Sequence, residues 1–274
     1  MAIDNGLIID VGMHTGKDTE FYLAKGFRVA AVEANPRLVD QVRKRLTEAV
    51  RSERLTIFNT AISDREGTAT FYVNTQKDDW GTLSDSFAAR NVALDTDLTP
   101  IDVECTRFEK ILEKTGIPYY LKIDIEGADI QCLKALGGFH DKPRYVSIEM
   151  SLRNFDDAFT EIAQLWVLGY RKFKVVNQAL NATVRCPDPP LEGKFVDARF
   201  DGHTSGPFGE EAPGAWMSLD EALERVRDII AEQALYGAHG RYYNTWRARL
   251  NRRYRRMFGL EPVGWYDIHA KRDD

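Results

Sequence analysis

The feature that most constrains the fold is the stretch 7–16, Leu-Ile-Ile-Asp-Val-Gly-Met-His-Thr-Gly. An apolar run that ends in an acid and is followed by a glycine turn and helical sequence predicts a strand, a loop and a helix. Gly12 lets the backbone turn sharply and approach a ligand, because it has no Cβ. Thr15 and Asp18 have capping-box spacing, so we expect the helix to begin there and its free N–H groups to face a ligand above the strand ends.

The glycine spacing of this loop limits which ligand it can bind. Gly12 and Gly16 form Gly-x-x-x-Gly, so the dinucleotide pattern Gly-x-Gly-x-x-Gly is absent. With Asp10 the spacing favours an S-adenosylmethionine loop, since that ligand has no pyrophosphate, although an ordinary βα turn would also fit. A second predicted strand ends at Glu33, about 20 residues farther on, where a ribose-binding acid is expected. The two strands together predict an adenosine-binding α/β fold.

The overall composition is that of a globular protein with a full core. The chain has 274 residues, a net charge of −5 and 43% hydrophobic residues, which suits one α/β domain with a sizeable insertion. No apolar run approaches the roughly 18 residues of a membrane span, and a strand that begins by Leu7 leaves no room for a signal peptide. Cys105, Cys132 and Cys186 have no paired spacing. We therefore expect a cytoplasmic protein without a membrane partner, and the oligomeric state stays open.

The order of predicted elements indicates a Rossmann-like α/β fold with a mostly parallel seven-stranded sheet. We expect a core at 1–176, an insertion of a loop and two helices at 177–262, and a final strand at 263–274 that returns beside the sixth. A hairpin is also predicted, formed by 61–63 and 68–73 around the turn 64–67. The seven strands are predicted at 7–10, 28–33, 55–58, 119–124, 145–149, 170–176 and 264–270.

Two parts of the insertion are candidates for a functional role. The insertion interrupts the passage between the last two strands near the ligand-binding rim, so we expect it to act as a substrate lid. Phe208, Glu210 and Glu211 are then candidate acceptor contacts; the alternative is that their loop only packs. The second predicted helix, within 240–259, has one strongly basic face. Its other face carries a stripe that we expect to be buried: Tyr243, Trp246, Leu250, Tyr254 and Met257.

These residues resemble the FkbM-type family of class I S-adenosylmethionine-dependent methyltransferases. The resemblance covers roughly residues 6–176, and the insertion lies outside it. The family usually has Ala-Asn after the first glycine, where this chain has Met13-His14, and Thr-Leu-Asp where this chain has Thr106-Arg107-Phe108-Glu109. The matching blocks are Ile9-Asp10-Val11-Gly12 with Gly16, Val32-Glu33-Ala34-Asn35-Pro36, Asn59-Thr60-Ala61-Ile62-Ser63 and Leu121-Lys122-Ile123-Asp124-Ile125-Glu126-Gly127.

The resemblance implies the class I methyltransferase fold, S-adenosylmethionine as cofactor and O-methyl transfer to a small molecule such as a sugar or polyketide. It implies that residues 12–16 cradle the methionine part, that Glu33 binds both ribose hydroxyls, and that Ala61 and Ile62 line the adenine pocket. The complete set of expected cofactor contacts is Asp10, Gly12, Met13, His14, Thr15, Gly16, Glu33, Ala34, Asn35, Ala61, Ile62 and Asp124.

A hydroxyl acceptor must lose a proton during methyl transfer, so the site needs a general base. The candidates are Asp124, Glu126, Glu149 and His203 of the insertion, of which Asp124 has the best expected position; it could instead order the amino end of the cofactor. Clustered acids would also suit a divalent cation, which we regard as possible but do not expect. Lys122 is expected to pair with a neighbouring acid.

A nucleic-acid methyltransferase or binding protein is the main alternative. The arginines at 241–256 could contact phosphates, and aromatic residues could stack on bases. Three features argue against a nucleic-acid partner: the acidic net charge, the absence of an Asn-Pro-Pro-Tyr type motif, and the expectation that the aromatic stripe is buried. A small-molecule acceptor is therefore the expected partner.

Overall fold

The structure, a computed structural model, describes residues 1–74, 98–125 and 127–273. Its main sheet has seven strands in the order β3-β2-β1-β7-β8-β10-β9. Parallel pairing joins β1 to β2 and β7 and joins β2 to β3, whereas β9 and β10 are antiparallel. This arrangement confirms the predicted α/β fold with its mostly parallel seven-stranded sheet. The strands are β1 (Ile3–Val11), β2 (Arg28–Glu33), β3 (Leu55–Asn59), β4 (Ala61–Ile62), β5 (Gly67–Asn74), β6 (Leu98–Thr106), β7 (Ile117–Ile123), β8 (Tyr145–Glu149), β9 (Tyr170–Asn177) and β10 (Tyr266–Arg272).

Helices follow most of the main-sheet strands, as parallel connections require. Two short 3-10 helices lie at Gln178–Thr183 and Gly209–Glu211. The α-helices are α1 (Lys17–Ala24), α2 (Pro36–Arg45), α3 (Thr47–Arg51), α4 (Phe108–Thr115), α5 (Asp129–Leu136), α6 (Phe155–Val167), α7 (Leu219–Tyr236) and α8 (Trp246–Met257). The polar stretch from Asn74 to Thr99, which contains Trp80-Gly81-Thr82-Leu83-Ser84, is long for a connection and is a candidate part of a binding surface. Residues 75–97 of this stretch lie outside the described residues.

The chain forms two compact units. The first comprises Met1–Val146 with Asp188–Val196, and the second comprises Ser147–Pro187 with Asp197–Asp274. The core of the first unit is built on β1, whose residues Ile8, Ile9 and Val11 are fully buried. A strand covered on both faces needs such a continuous apolar run, which explains why β1 does not alternate polar and apolar residues. The predicted limits of core, insertion and final strand stay a prediction.

The predicted hairpin between 61–63 and 68–73 is wrong. The strand β4 pairs in parallel with β6, and β5 pairs antiparallel with β6, so β6 lies between them in a separate three-stranded sheet. The reason is the length of the pairing partners. β4 has only two residues to pair, whereas the nine-residue β6 matches all eight residues of β5.

The segment 205–211 in the second unit is packed against its neighbours. Phe208 is fully buried, so it offers no free apolar surface to an acceptor. The Glu210 carboxylate accepts a hydrogen bond from Trp216 Nε1 at 2.8 Å and pairs with Lys271 Nζ at 2.7 Å. These contacts favour the packing alternative for this loop. A lid function for the insertion as a whole stays a prediction.

The predicted helices of the insertion are present, but the expected burial of the second is wrong. Ser218 and Glu221 form the predicted capping box of α7. In α8, by contrast, Trp246, Leu250 and Met257 are 58–69% exposed. The helix packs through its opposite side, where Ala248 is buried. Among the described residues, no helix is both long and apolar enough to cross a membrane.

Candidate active site at the ends of β1, β2 and β7

The loop after β1 touches the end of β7. Gly12 has a φ of +86°, and a Cβ built on it would lie 1.8 Å from the carbonyl oxygen of Asp124. Both the backbone conformation and the lack of space therefore require glycine at this position. This contact brings two of the predicted site segments together within the first unit.

The amides of this loop are largely used inside the protein. Gly12 N and Met13 N both donate to the carbonyl oxygen of Val32 at 3.0 Å, and His14 N donates to Glu33 Oε2 at 2.8 Å. The loop therefore locks onto the end of β2 through these donors. These three amides are therefore not available to a ligand. A ligand can be bound only by the other amides of the loop and by its carbonyl oxygens.

The predicted capping box at the start of α1 is wrong. Gly16 is the N-cap, with a left-handed φ of +74°, and no side chain caps the helix. Asp18 is buried and instead pairs with Lys122, with 3.6 Å between Asp18 Oδ2 and Lys122 Nζ. A buried ammonium competes more strongly for the carboxylate than a backbone amide does.

Glu33 is fixed at the end of β2 with both carboxylate oxygens aligned. One oxygen accepts from His14 N and the other from Asn35 N, each at 2.8 Å. Asn59 Nδ2 donates to the carbonyl oxygens of Glu33 and Ala34, which holds the backbone in place. Burial raises the pKa of Glu33, and the two amide hydrogen bonds oppose that increase. Each carboxylate oxygen keeps a second lone pair, so the group can still accept from a ribose diol.

A buried lysine lies at the centre of the site. Lys122 on β7 is the register partner of Asp10 on β1, so the two side chains lie on the same face of neighbouring strands. Its Nζ lies 3.4 Å from Asp10, 3.6 Å from Asp18 and 3.5 Å from Asp124. Burial lowers the pKa of Lys122, but the three carboxylates together raise it by more than burial lowers it. The pKa of Lys122 therefore lies well above its usual value. Lys122 thus pairs with acids, as predicted.

Asp124 is the carboxylate of this cluster that reaches solvent. Its side chain is 45% exposed, whereas those of Asp10 and Asp18 are 0% and 7% exposed. It therefore presents carboxylate oxygens to solvent at the end of β7 while Lys122 anchors it. Of the other predicted catalytic acids, Glu126 lies outside the described residues, and Glu149 is half-buried at the end of β8 in the second unit.

The other predicted cofactor residues divide by exposure. Asp10 accepts a hydrogen bond from Thr19 Oγ1 at 2.6 Å and is fully buried, so it organises the site. Asn35 caps α2, its side chain accepting from Arg37 N. The buried residues of the set are Met13, Gly16, Asn35, Ala61 and Ile62, and the half-buried ones are Gly12, His14, Thr15 and Ala34.

Sequence reasoning missed Asp129 as a member of the site. At the start of α5, its oxygens accept from the amides of Ile125 at 3.4 Å and Gly127 at 3.3 Å, which shapes the loop after Asp124. Burial raises the pKa of Asp129 to about 6, with a further contribution from the charge of Asp124. Its position two residues after a glycine and at a helix start was the available signal.

The described residues contain no group of three or more histidine, cysteine, aspartate or glutamate side chains that could hold a metal ion. S-adenosylmethionine, the cofactor that the loop spacing implies, fits the polar groups of this site. Glu33 offers paired acceptors for a diol, while the carbonyl oxygen of Gly12 offers an acceptor for an ammonium group.

The chain is similar to known methyltransferases. The Methyltransferase FkbM domain matches residues 10–172, which is more than half of the chain. No curated protein matches the chain. Similar solved structures include a SAM dependent methyltransferase from Archaeoglobus fulgidus (10% identity, covering 98% of this chain and 87% of that one, TM-score 0.38). Others are a precorrin-6y C5,15-methyltransferase from Geobacter metallireducens (14%, 65% and 69%, TM-score 0.36) and an rRNA methylase from Streptococcus thermophilus (13%, 63% and 76%, TM-score 0.33). The chain belongs to the FkbM methyltransferase domain family and is an S-adenosylmethionine-dependent methyltransferase.

Proposed function

We propose that the protein transfers a methyl group to a hydroxyl of a small molecule, such as a sugar or other natural product, with Asp124 as general base. The observation that carries the proposal is the partly exposed Asp124 carboxylate at the end of β7, held 3.5 Å from the buried ammonium of Lys122. The FkbM resemblance supports a hydroxyl acceptor.

Bound S-adenosylmethionine supplies an activated methyl group on a sulfonium centre. The contribution of the chain is to align the acceptor and to take up its proton. In this proposal Asp124 accepts the O–H proton of the acceptor, and S-adenosylmethionine held by Glu33 and the loop after β1 would supply the methyl group to the acceptor oxygen. The Asp124 carboxyl group would become neutral as it takes up this proton, and the loss of its negative charge would match the loss of the positive charge of the methyl donor.

The cluster explains why Asp124 is the better base among the acids around Lys122. Asp10 and Asp18 are closed off from solvent and are committed to Lys122 and Thr19. A base must lie within hydrogen-bond reach of the acceptor, which a buried carboxylate cannot do. Lys122 is then a positioning residue that holds the Asp124 carboxylate in a fixed direction.

The test is Asp124→Asn, assayed with a panel of hydroxylated sugars and natural products. We expect turnover to fall about 10²- to 10⁴-fold, the usual contribution of a general base, and cofactor affinity to fall much less. Turnover is measured as S-adenosylhomocysteine release, affinity by calorimetric titration, and the methylated atom by NMR of the product. Asp40→Asn, an exposed change on α2, is the matched control.

An equal loss of turnover and cofactor affinity would make Asp124 a cofactor ligand and refute its role as base. Methylation of nitrogen in place of oxygen would refute the acceptor class. A metal-free reaction is also part of the proposal, so we expect full activity in excess EDTA. Rescue of an EDTA-treated enzyme by magnesium would contradict that part.

A further inference from the structure

The solvent-facing side of α8 carries large apolar side chains. We call these four residues the apolar stripe: Trp246 at 67% exposure, Leu250 at 58%, Tyr254 at 50% and Met257 at 69%. Spacings of four, four and three residues place them on one face of a helix with 3.6 residues per turn. Phe258, whose ring lies 4.6 Å from that of Tyr254, extends the face. A contiguous exposed apolar surface of this kind marks an interaction site.

The opposite side of α8 fixes its orientation. Ala248 is buried, and Arg255 forms an ion pair with Glu232 of α7 and donates to the carbonyl oxygen of Glu261. Ala248 and Arg255 lie seven residues apart, close to two helical turns, so they lie on one face. The face of α8 with Ala248 and Arg255 contacts the rest of the second unit. The apolar stripe lies on the opposite face and is exposed to solvent.

The flanks of the stripe are strongly positive. Between residues 237 and 260 the chain has seven arginines and no acidic residue. Arg249, Arg252, Arg253 and Arg256 are exposed, and none of the carboxylates in the described parts of the chain forms an ion pair with them. Charge complementarity therefore calls for an anionic partner, although the protein as a whole carries −5.

We propose that α8 binds the surface of an anionic phospholipid membrane and lies in the plane of that surface. A helix that combines exposed Trp, Leu and Met with flanking arginines matches both layers of such a surface. The guanidinium groups reach the phosphates of the headgroups, and the stripe enters the boundary with the acyl chains. The enzyme would then act next to a membrane, which revises the expectation that it has no membrane partner.

Two other partners fit less well. A second copy of the chain that paired stripe to stripe would bring two arginine-rich faces together, because a two-fold interface repeats the same surface. A nucleic acid would satisfy the arginines, and Trp246 and Tyr254 could stack on bases. It would leave the aliphatic Leu250 and Met257 without an apolar environment. Because the aromatic residues of the stripe are exposed, they are accessible to bases, and nucleic acid is therefore included in the test.

The experiment is co-sedimentation of the full chain with vesicles of phosphatidylcholine alone, or of equal parts phosphatidylcholine and phosphatidylglycerol. We expect binding to the anionic vesicles, with an affinity that decreases as salt is added. Trp246 should report insertion through a blue shift of its fluorescence, and Trp246→Phe should remove that shift while binding remains.

Two pairs of substitutions separate the contributions, and all four residues are exposed, so folding should be unaffected. Trp246→Ser with Leu250→Ser should weaken binding roughly tenfold or more. Arg253→Gln with Arg256→Gln should weaken it roughly fivefold for each charge. The matched controls are Val167→Ser, at 78% exposure, and Arg51→Gln, at 74% exposure of the side chain, which should change nothing.

Three results would overturn the proposal. The first is absence of binding to anionic vesicles by the folded wild-type protein. The second is tighter binding to duplex DNA or RNA that needs the arginines but is indifferent to Leu250→Ser. The third is a dimer in sedimentation velocity that Leu250→Ser abolishes, since that would make the stripe an interface between two copies.

Discussion

Two buried lysines, one in each unit, solve the same physical problem in different ways. Lys122 in the first unit is surrounded by the carboxylates of three aspartates. Lys174 in the second unit donates to the backbone carbonyl oxygens of Gly209, Glu210 and Ala212, at 3.3, 3.4 and 2.5 Å. It also lies 4.5 Å from the centre of the Trp216 ring. A buried ammonium must be compensated by one route or the other.

The difference shows what each cation is for. Carbonyl oxygens belong to the backbone, so Lys174 fixes the path of the segment 209–212 through these three hydrogen bonds. Carboxylate side chains around Lys122 can differ in exposure, and Asp124 does reach solvent. We therefore interpret the Lys122 cluster as the part of a reaction site and the Lys174 contacts as a structural anchor.

The largest expected effect comes from replacing each lysine by methionine. Lys122→Met leaves the buried Asp10 and Asp18 without their cation, which should lower the free energy of unfolding by about 3–5 kcal/mol. Lys174→Met leaves carbonyl oxygens unsatisfied and should cost less, about 1–3 kcal/mol. Urea unfolding followed by circular dichroism measures both, with the exposed Lys172→Met as control. A larger loss for Lys174→Met would reverse the comparison.

The second effect is a loss of folding stability at low pH, which arises from His269 beside Lys174. His269, the register partner of Lys174, is buried, and burial together with the charge of Lys174 lowers its pKa to about 3. A histidine whose pKa is lowered by folding stabilises the folded state above its unfolded pKa of 6.5 and loses that contribution as the pH falls towards 3.

The loss attributable to His269 should reach about 3 kcal/mol near pH 4, where the unfolded histidine is charged and the folded one is still neutral. The measurement compares the pH dependence of urea unfolding for the wild type and His269→Leu. The variant should lose less stability between about pH 6.5 and pH 4. Parallel curves for the two proteins would show that His269 does not titrate on unfolding in this range.

The third effect tests whether the first unit, and not the region around Lys174, binds the cofactor. Glu33→Ala removes the acceptors for the ribose and should weaken S-adenosylmethionine binding by about 1.5–3 kcal/mol, the contribution of hydrogen bonds to a charged group. Calorimetric titration measures it, and Lys174→Met provides the control because it should leave the affinity unchanged. An unaltered affinity in Glu33→Ala would remove Glu33 from the ribose. Tight NAD binding would contradict the cofactor itself.

The sequence predicted the seven strands of the main sheet and the family because both depend on local patterns. The run Leu7 to Ile9 is apolar because its strand is covered on both faces, and the acids at Asp10, Glu33 and Asp124 mark strand ends. Lys122 could be assigned to an acid because alternation puts it on the same face as Asp124. These inferences need only the strand period and the chain order.

The errors arose where the outcome depended on contacts between distant segments. The capping box at Thr15 failed because Asp18 pairs with Lys122, more than 100 residues away. The stripe of α8 was predicted to be buried because helical spacing identifies an apolar face but not what covers it. Asp129 was missed because its raised pKa depends on its burial and on the neighbouring charge of Asp124.

The smallest expected effect concerns Asp129. Its carboxylate, when ionised, places a second negative charge beside Asp124. Folding raises its pKa from 3.8 to about 6, so the ionised form is disfavoured in the folded state. The sign is therefore opposite to that of a salt-bridged acid: the folded protein loses stability as the pH rises from about 4 to about 6. Asp129→Asn is uncharged at every pH and keeps one oxygen for the amide of Ile125 or Gly127, so it should not show this loss.

We expect the advantage of the wild type over Asp129→Asn to shrink by about 1 kcal/mol across that range, after allowance for solvent screening. Carboxyl ¹³C NMR should show one aspartate titrating near pH 6 in the wild type and none there in the variant. If that signal persists in Asp129→Asn, the titrating group is another acid. A titration near pH 6 beside Asp124 would also support the assignment of the Lys122 cluster to a reaction site, because perturbed acids gather at such sites, whereas a structural anchor needs none.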